Sequence, residues 1–343
     1  MSRFVKAAAA CVAAAMMTSS ALAQTAPMAD PPRNKDGRPD FHGFWNNQSV
    51  TTLTRGASVP KLVLTPEEAK EYESKFTWNV NEASQRGLVD VNKPPPGGQG
   101  AQFATTGYNS FWLDHGRHYA TVKGEIRSSW LTDPPNGRLP SKPNAGRAQN
   151  AGGYGTFDGP ETRPLAERCI VSFSRSAGPV MQNSLYNNNY QIVQAPDHVM
   201  INVEMNHDAR IIPLVKDRSA AKHTNDAIQP WFGDSVGWYE GDTLVVQTTN
   251  VNPRQRAQMS PTGVLTERFT LWTKDQILYE FEVNDPEFYT QTWKGEMVLN
   301  RSKEPLYEYA CHEGNYALHG ILAGARVQEA AGKTVARNAE VER

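Results

Sequence analysis

The chain has 343 residues, and its 35 basic and 36 acidic residues give a formal net charge of −1. This balance offers no clustered basic surface, so nucleic acid is excluded as an expected partner. The length is enough for one large domain or two small ones.

The first 23 residues have the layout of a cleavable secretory signal. Arg3 and Lys6 form a positive region, Ala7 to Met17 an apolar stretch, and a small-residue pattern ends at Ala23. A membrane anchor is the alternative, but the stretch is shorter than the about 20 residues of a spanning helix. Cys11 lies inside the stretch and not at its end, which argues against a lipoprotein. We therefore expect a periplasmic or secreted protein without a membrane span.

Cleavage after Ala23 would remove two basic residues and no acidic one, leaving 33 basic and 36 acidic residues and a charge of −3. Two cysteines would remain, Cys169 and Cys311. An even pair in an oxidising compartment predicts a disulfide. Two separate buried thiols are the alternative.

The mature chain is expected to form one domain with two flanking segments. Residues 24–39 are rich in Pro and charge and predict an extended arm, 40–324 a single β-rich domain, and 325–343 a C-terminal tail. The Ala-rich end from Ile321 is interpreted as either a fraying helix or a disordered tail.

One helix start is clearly signalled. Thr65 at the N-cap, Pro66 at N1 and Glu68 at N3 form a capping box and predict a helix that ends near Lys75. Residues 92–100 and 141–162 are rich in Pro, Gly and Asn and predict loops. A second short helix is expected to start near Gly159.

The second half of the chain reads as a succession of strands separated by turn signals about ten residues apart. The runs are Tyr190–Gln194, Val199–Met205, Arg210–Leu214, Val236–Tyr239, Thr243–Thr249, Leu265–Thr273, Ile277–Val283 and Tyr289–Asn300. This rhythm predicts a mainly β fold, an antiparallel meander that closes into a lipocalin-like barrel or a sandwich, with one or two short helices.

The first candidate site is the segment from Glu204 to Arg210. We expect His207 to act as base or acid, Asp208 to orient it, and Arg210 to stabilise an anion. The alternative is a turn held together by an Asp–Arg pair.

The second candidate site follows Cys311. His312 and Glu313 are expected to form a further proton-transfer pair, with Asn315 and Tyr309 binding the substrate. His and carboxylate side chains also suit a divalent metal, but neighbouring residues of a strand point to opposite faces. No cofactor is therefore predicted, and a metal site stays an alternative.

Polar and aromatic side chains in two further segments are candidates for substrate binding. They are Tyr186, Asn188 and Tyr190 around the triple Asn run, and Tyr289 and Trp293 after the Asn284-Asp-Pro turn. Amides that both donate and accept suit the hydroxyls of a sugar or phenol. Plain turn chemistry and ordinary sheet packing are the respective alternatives.

Several linear motifs resemble those of a large family of exported bacterial proteins of unassigned function. They include Glu167-Arg-Cys169, Asn187-Asn-Asn-Tyr-Gln191, His207-Asp-Ala-Arg-Ile-Ile-Pro213, Trp238-Tyr-Glu-Gly-Asp-Thr-Leu-Val-Val246 and Tyr307-Glu-Tyr-Ala-Cys-His-Glu-Gly-Asn-Tyr316. The resemblance runs from about Tyr108 to Gly324. It implies an exported, strand-rich protein and lends no catalytic residue.

The residues lead to three functional hypotheses. The first is a periplasmic enzyme that carries out a lyase, isomerase or hydrolase step on an aromatic or hydroxylated small molecule, because ionisable clusters fall at strand ends and no redox-cofactor motif is present. The second is a non-catalytic, lipocalin-like binding protein. The third is an envelope interaction protein, which an exposed apolar patch would favour.

Overall fold

A computed structural model describes residues 25–85, 113–143, 145, 156–224, 226–255 and 258–333. The strands are β1 (Gly43–Asn46), β2 (Val63–Leu64), β3 (Ala120–Val122), β4 (Glu125–Arg127), β5 (Leu131–Asp133), β6 (Asn189–Gln194), β7 (His198–Val203), β8 (Ala209–Pro213), β9 (Asp234–Glu240), β10 (Thr243–Thr249), β11 (Val264–Thr273), β12 (Gln276–Asn284) and β13 (Trp293–Arg301). The helices are α1 (Pro66–Lys75), α2 (Thr77–Gln85) and α3 (Tyr316–Ala330).

Nine strands form a nearly closed antiparallel barrel. Their order is β8-β7-β6-β1-β13-β12-β11-β10-β9, and β5 pairs with β13 outside this path. A parallel bridge between Leu214 and Gly237 then brings the end of β8 against β9. The predicted mainly β fold is confirmed, and of the two predicted closures the barrel is the one formed.

The barrel interior is filled by side chains. Its strands alternate inward apolar residues with outward polar ones, as along β11, where Leu265, Phe269 and Leu271 are buried. The largest fully buried side chains are Trp45, Trp130, Trp293, Tyr190, Tyr279, Tyr289, Phe41, Phe269, Leu64, Leu131, Met181 and Ile192. Residues 176–181 lie outside the barrel strands and are buried as well.

A small sheet of β2, β4 and β3 lies beside the barrel and carries α1. The predicted capping box is present, since the Thr65 hydroxyl accepts from the backbone N–H of Glu68 and the Glu68 carboxylate accepts from that of Thr65. The helix ends at Lys75, as predicted. Pro160–Thr162 forms a single 3-10 turn at the second expected helix start.

Two boundaries differ from those predicted by more than the others. Strand β13 begins at Trp293 and not at Tyr289, because the buried Asp285 carboxylate accepts the backbone N–H groups of Glu287 and Phe288 and holds a turn there. Helix α3 begins at Tyr316, five residues before the Ala-rich segment that was expected to start the C-terminal helix or tail.

The predicted signal lies outside the described residues, as do residues 92–100 and most of 144–155. Among the helices of the described ranges, none combines the length and the hydropathy that crossing a bilayer requires.

Candidate functional site

The turn between β7 and β8 carries the first predicted cluster. Asn206 and His207 have φ values of 59° and 47°, in the left-handed region that Asn adopts more readily than most residues. Glu204 and Asp208 are only 6% and 5% exposed, whereas His207 is exposed. The turn therefore buries its two carboxylates and leaves the predicted base in solvent.

Asp208 is held by hydrogen bonds from outside its own strand pair. Its carboxylate accepts from the backbone N–H of Ser172 at 3.2 Å and from the amide of Asn206 at 3.3 Å. Burial raises the pKa of Asp208 to about 6, against the opposing effects of these hydrogen bonds and of His207. Asp208 can thus exchange a proton near neutral pH. From the sequence, this role was expected of its neighbour His207.

Glu204 stands where three strand ends meet. Its carboxylate accepts a 2.6 Å hydrogen bond from the amide of Asn189, at the start of β6, and a 3.5 Å one from the backbone N–H of Tyr307. The Asn189 carbonyl in turn accepts from the amide of Asn46, at the end of β1. These contacts fix the position of Glu204 at one mouth of the barrel.

Asp114 is the second carboxylate of this mouth. Its backbone carbonyl accepts a 2.8 Å hydrogen bond from the amide of Asn188, which is fully buried. Burial, and after it the negative charge of Glu204, raise the pKa of Asp114 to about 6 against the opposing effect of the backbone N–H of Asn188. A carboxyl group that exchanges its proton close to neutral pH therefore lies in the electrostatic field of a second carboxylate.

Two aromatic rings belong to the segments that hold these carboxylates. Phe173, next to the Ser172 that binds Asp208, has its ring centroid 5.8 Å from that of Tyr186. Phe173 is 45% exposed, and Tyr186 is half-buried. We call Asp114, Glu204, Asn188, Asn189 and Tyr186 the acidic mouth.

The predicted disulfide between Cys169 and Cys311 is confirmed. Asn315 supports it, because its amide donates to the carbonyl of Glu167 at 2.9 Å and contacts the Cys169 sulfur at 3.4 Å. The bridge brings the segment after β13 to the same end of the barrel as the β7–β8 turn, which the hydrogen bond from Tyr307 also requires.

The two predicted histidines are less engaged than the segments that carry them. His312 and Glu313 follow the disulfide and are exposed, as is His207. Within the described ranges, neither imidazole takes part in a hydrogen bond. Their predicted roles in catalysis remain predictions, without an orienting partner for either ring.

Arg210 turns away from this turn and into the barrel. Its guanidinium is 1% exposed and forms an ion pair with the fully buried Glu267, with an Nη1–Oε1 distance of 2.8 Å. Tyr279 donates a 2.8 Å hydrogen bond to the same carboxylate. The interpretation of the turn as an Asp208–Arg210 clamp is therefore wrong, because alternation along β8 sends the arginine to the interior.

Three of the predicted substrate-binding residues are core residues. Tyr190 donates to the carbonyl of Ser176 at 3.1 Å, and burial raises its pKa. Tyr289 and Trp293 are 1% and 0% exposed and lie where β12 ends and β13 begins, the end of the barrel opposite Glu204. Tyr309 is half-buried against the main core, nearer the acidic mouth.

Neither Glu204 nor Asp114 was assigned a role from the sequence. Asp114 follows an aromatic run, and the one available signal was the adjacent pair Asp114-His115. In the ranges that the structure describes, no three His, Cys, Asp or Glu side chains converge on a metal-binding geometry. The described residues therefore supply no set of ligands for the metal site that was the alternative for His312 and Glu313.

Comparison with protein-family models, with curated proteins and with solved structures finds no match. The function of the protein is therefore inferred from the geometry of the acidic mouth.

Proposed function

We propose that this protein is an acid–base enzyme that cleaves a C–O bond in a hydroxylated small molecule, by hydrolysis or elimination. Asp114 is the general acid that protonates the leaving oxygen. Glu204 is the general base that takes a proton from the attacking water, or from carbon when the step is an elimination. Each turnover then ends with the proton returned from Glu204 to Asp114 through solvent.

The observation that carries this proposal is the raised pKa of Asp114 beside Glu204. Two carboxyl groups whose environments differ can hold one proton between them at neutral pH, and this division supplies an acid and a base together. General acids work best when their pKa lies close to the working pH, and a value of about 6 meets this condition.

The surroundings of the pair favour a hydroxylated substrate. The amide of Asn189 is fixed on the carboxylate of Glu204 and that of Asn188 on the backbone carbonyl of Asp114, so both amides position the pair and leave the ligand to the carboxyl groups. The ring pair of Phe173 and Tyr186 offers an apolar surface of the kind that sugar and phenol rings pack against.

The alternative hypothesis of a carrier places its ligand inside the barrel. Aromatic and aliphatic side chains fill the described interior, and the buried residues Val180 and Met181 belong to a segment that lies among them. We therefore prefer a site at the mouth, where Asp114 is half-buried, to a site in the filled interior.

A substrate panel with matched variants tests the proposal. The purified protein is assayed on 4-nitrophenyl glycosides, 4-nitrophenyl esters and β-hydroxy acids that dehydrate to a conjugated product. Asp114→Asn and Glu204→Gln are expected to lower turnover of any active substrate by about 10²–10⁴-fold, the usual contribution of a general acid or base. Glu304→Gln, at an exposed carboxylate outside the mouth, is expected to leave turnover unchanged.

The histidine variants decide between the two catalytic hypotheses. Turnover that survives in Asp114→Asn but is lost in His207→Ala or His312→Ala would return the acid–base role to the histidines. Lack of turnover on every class of the panel would remove C–O cleavage as the function.

We further propose that the protein works outside the cytoplasm. The confirmed disulfide supports this, since structural disulfides persist in oxidising compartments and are rare in the cytosol. Fusing residues 1–30 to a reporter that folds only after export gives the test. Reporter activity is expected, and activity that stays in the cytoplasm would contradict the proposal.

A further inference from the structure

A groove of about 370 Å³ lies on the outer face of the barrel, away from the acidic mouth. It crosses β9 to β13, and its walls include Arg218, after β8, and Thr132 on β5. The volume is within the range of small-molecule sites. None of the residues predicted from the sequence to form a site lines it.

The register of the strands places eight side chains of the groove in two rows, all of them polar except Val245. One row runs Gln247, Thr266, Glu282 and Lys294, each directly opposite the next on the neighbouring strand. The other row runs Val245, Arg268, Glu280 and Glu296 in the same way. Neighbouring strands are about 4.8 Å apart, so β9 to β13 spans about 19 Å.

The β9–β11 end of the groove is positive. Arg268 pairs with Glu240 at 2.8 Å, and both are exposed to solvent by about 40%. Arg218 lies near this pair, because its charge contributes to lowering the pKa of Glu240 after Trp238 and Arg268. Within the described ranges the Arg218 guanidinium forms neither a hydrogen bond nor an ion pair. This end therefore carries one unbalanced positive charge.

The β12–β13 end is negative. Glu280 and Glu296 stand opposite each other, an unfavourable like-charge pair that Lys123 relieves at 3.3 Å and 2.8 Å. Glu282 pairs with Lys294 at 2.6 Å, and that lysine also faces Asp133 across β5. Including Glu125 and Arg127 behind them, five carboxylates meet three cations, so two negative charges are unbalanced.

Between the two ends lie side chains with free hydrogen-bonding capacity. The side-chain oxygen of Gln247 is 3.2 Å from His223 Nε2, and its NH₂ group, at the edge of the groove, has no hydrogen bond in the part of the chain that the structure describes. The Thr266 hydroxyl has no hydrogen bond within the described ranges and stands directly opposite Gln247. The middle of the groove can therefore bind amide or carbonyl groups.

We propose that this groove binds a small linear zwitterion, a peptide of about three residues, with its carboxylate at Arg218 and its ammonium group at Glu282. The free guanidinium matches a carboxylate in charge and in its forked geometry. The excess of carboxylates matches an ammonium group. An extended tripeptide is about 10 Å long, and a hydrogen bond of about 2.8 Å at each end brings this to about 16 Å, close to the about 14 Å of the three strand spacings from β9 to β12. Gln247 and Thr266 bind its peptide groups.

Calorimetric titration of the purified protein with trialanine tests the proposal. Trialanine is compared with its N-acetylated and its C-amidated forms, each of which lacks one charge. Each cap is expected to weaken binding by about tenfold, the loss of one charge-assisted contact of about 1.4 kcal/mol. Binding of trialanine is also expected to weaken as salt rises.

The variants locate each charge. Arg218→Ala is expected to weaken the binding of trialanine. It should leave the binding of the amidated form unchanged, since the contact that the substitution removes is already absent there. Glu282→Gln is expected to weaken the binding of trialanine and to leave the binding of the N-acetylated form unchanged. Arg254→Ala and Glu304→Gln, at exposed positions outside the groove, serve as matched controls and are expected to change nothing.

Three results would overturn the proposal. They are a lack of saturable binding of trialanine at millimolar concentration, equal affinity for all three peptides, and a control variant that binds trialanine as weakly as Arg218→Ala does. The groove and the acidic mouth share no residue. Failure of one proposal would therefore leave the other standing.

Discussion

The amide of Asn189 donates a 2.6 Å hydrogen bond to the carboxylate of Glu204, across the open end of the β6–β7 pair. The backbone joins the same two residues, since the N–H of Glu204 donates to the carbonyl of Asn189 at 3.0 Å. Because Asn46 donates to the Asn189 side-chain carbonyl, the orientation of the amide is fixed by both of its partners. One side chain thus connects β1, β6 and the proposed base.

Replacing this amide with a carboxylate should make stability depend on pH. In Asn189→Asp two carboxyl groups would lie in hydrogen-bond contact and could not both ionise without cost. We expect the variant to be destabilised by about 1–3 kcal/mol more at pH 7.5 than at pH 4.5, since at the lower pH the pair can share a proton. Urea unfolding at both pH values measures this. An Asn189→Ala variant with the same pH dependence would contradict it.

Asp208 should lower the stability of the protein as pH rises. Its pKa in the folded state is raised to about 6, so between pH 4 and 6 the unfolded chain loses the proton first and stability falls. Asp208→Asn removes this slope. Between pH 4 and pH 7, we expect the free energy of unfolding of the variant to rise by up to about 2–3 kcal/mol relative to that of the parent protein. Urea unfolding checks this, and parallel curves for the two proteins would refute it.

The ion pair of Arg210 and Glu267 should be sensitive to the loss of either partner. Glu267→Gln leaves a buried guanidinium without its counter-charge, at an expected cost of about 3–5 kcal/mol. The double variant Arg210→Met/Glu267→Leu is expected to recover most of this loss, because no charge then remains buried. Arg268→Ala, at a solvent-exposed pair on the same strand, should cost less than about 1 kcal/mol. A double variant as unstable as the single one would argue against the electrostatic cause.

The disulfide should stabilise the barrel by lowering the conformational entropy of the unfolded chain. It closes a loop with a sequence separation of 142, for which chain entropy gives an upper value of about 4–5 kcal/mol. We expect the Cys169→Ser/Cys311→Ser double variant to unfold at lower urea and to be cleaved by protease between residues 302 and 315. An unchanged urea midpoint together with unchanged cleavage would show that noncovalent contacts hold the segment by themselves.

The main features of the fold could be predicted because they depend on local patterns. Alternation of apolar and polar residues marked β6 to β12, and Thr65 with Glu68 marked the start of α1. The position of β1 could not be predicted in this way. Its partners, β6 and β13, are remote in the chain, and nothing within Gly43–Asn46 specifies them.

The site was predictable only as a neighbourhood. The cysteine pair and the charged β7–β8 turn correctly indicated that two distant segments meet. The choice of Asp114 as the proposed acid depends on burial, which raises the pKa values of Asp114 and Asp208, whereas His207 and His312 lie in solvent. Such differences in exposure arise from tertiary packing and cannot be predicted from the residue types alone.

The place of β1 between β6 and β13 bears on how the protein must be made. The first strand to leave the ribosome has one of its two neighbours at Trp293–Arg301, some 250 positions later. The barrel therefore cannot be completed until nearly the whole polypeptide has been synthesised, and such remote pairing is expected to make folding slow. A nascent chain that stays open for this long would remain competent to pass through a translocation channel before it folds.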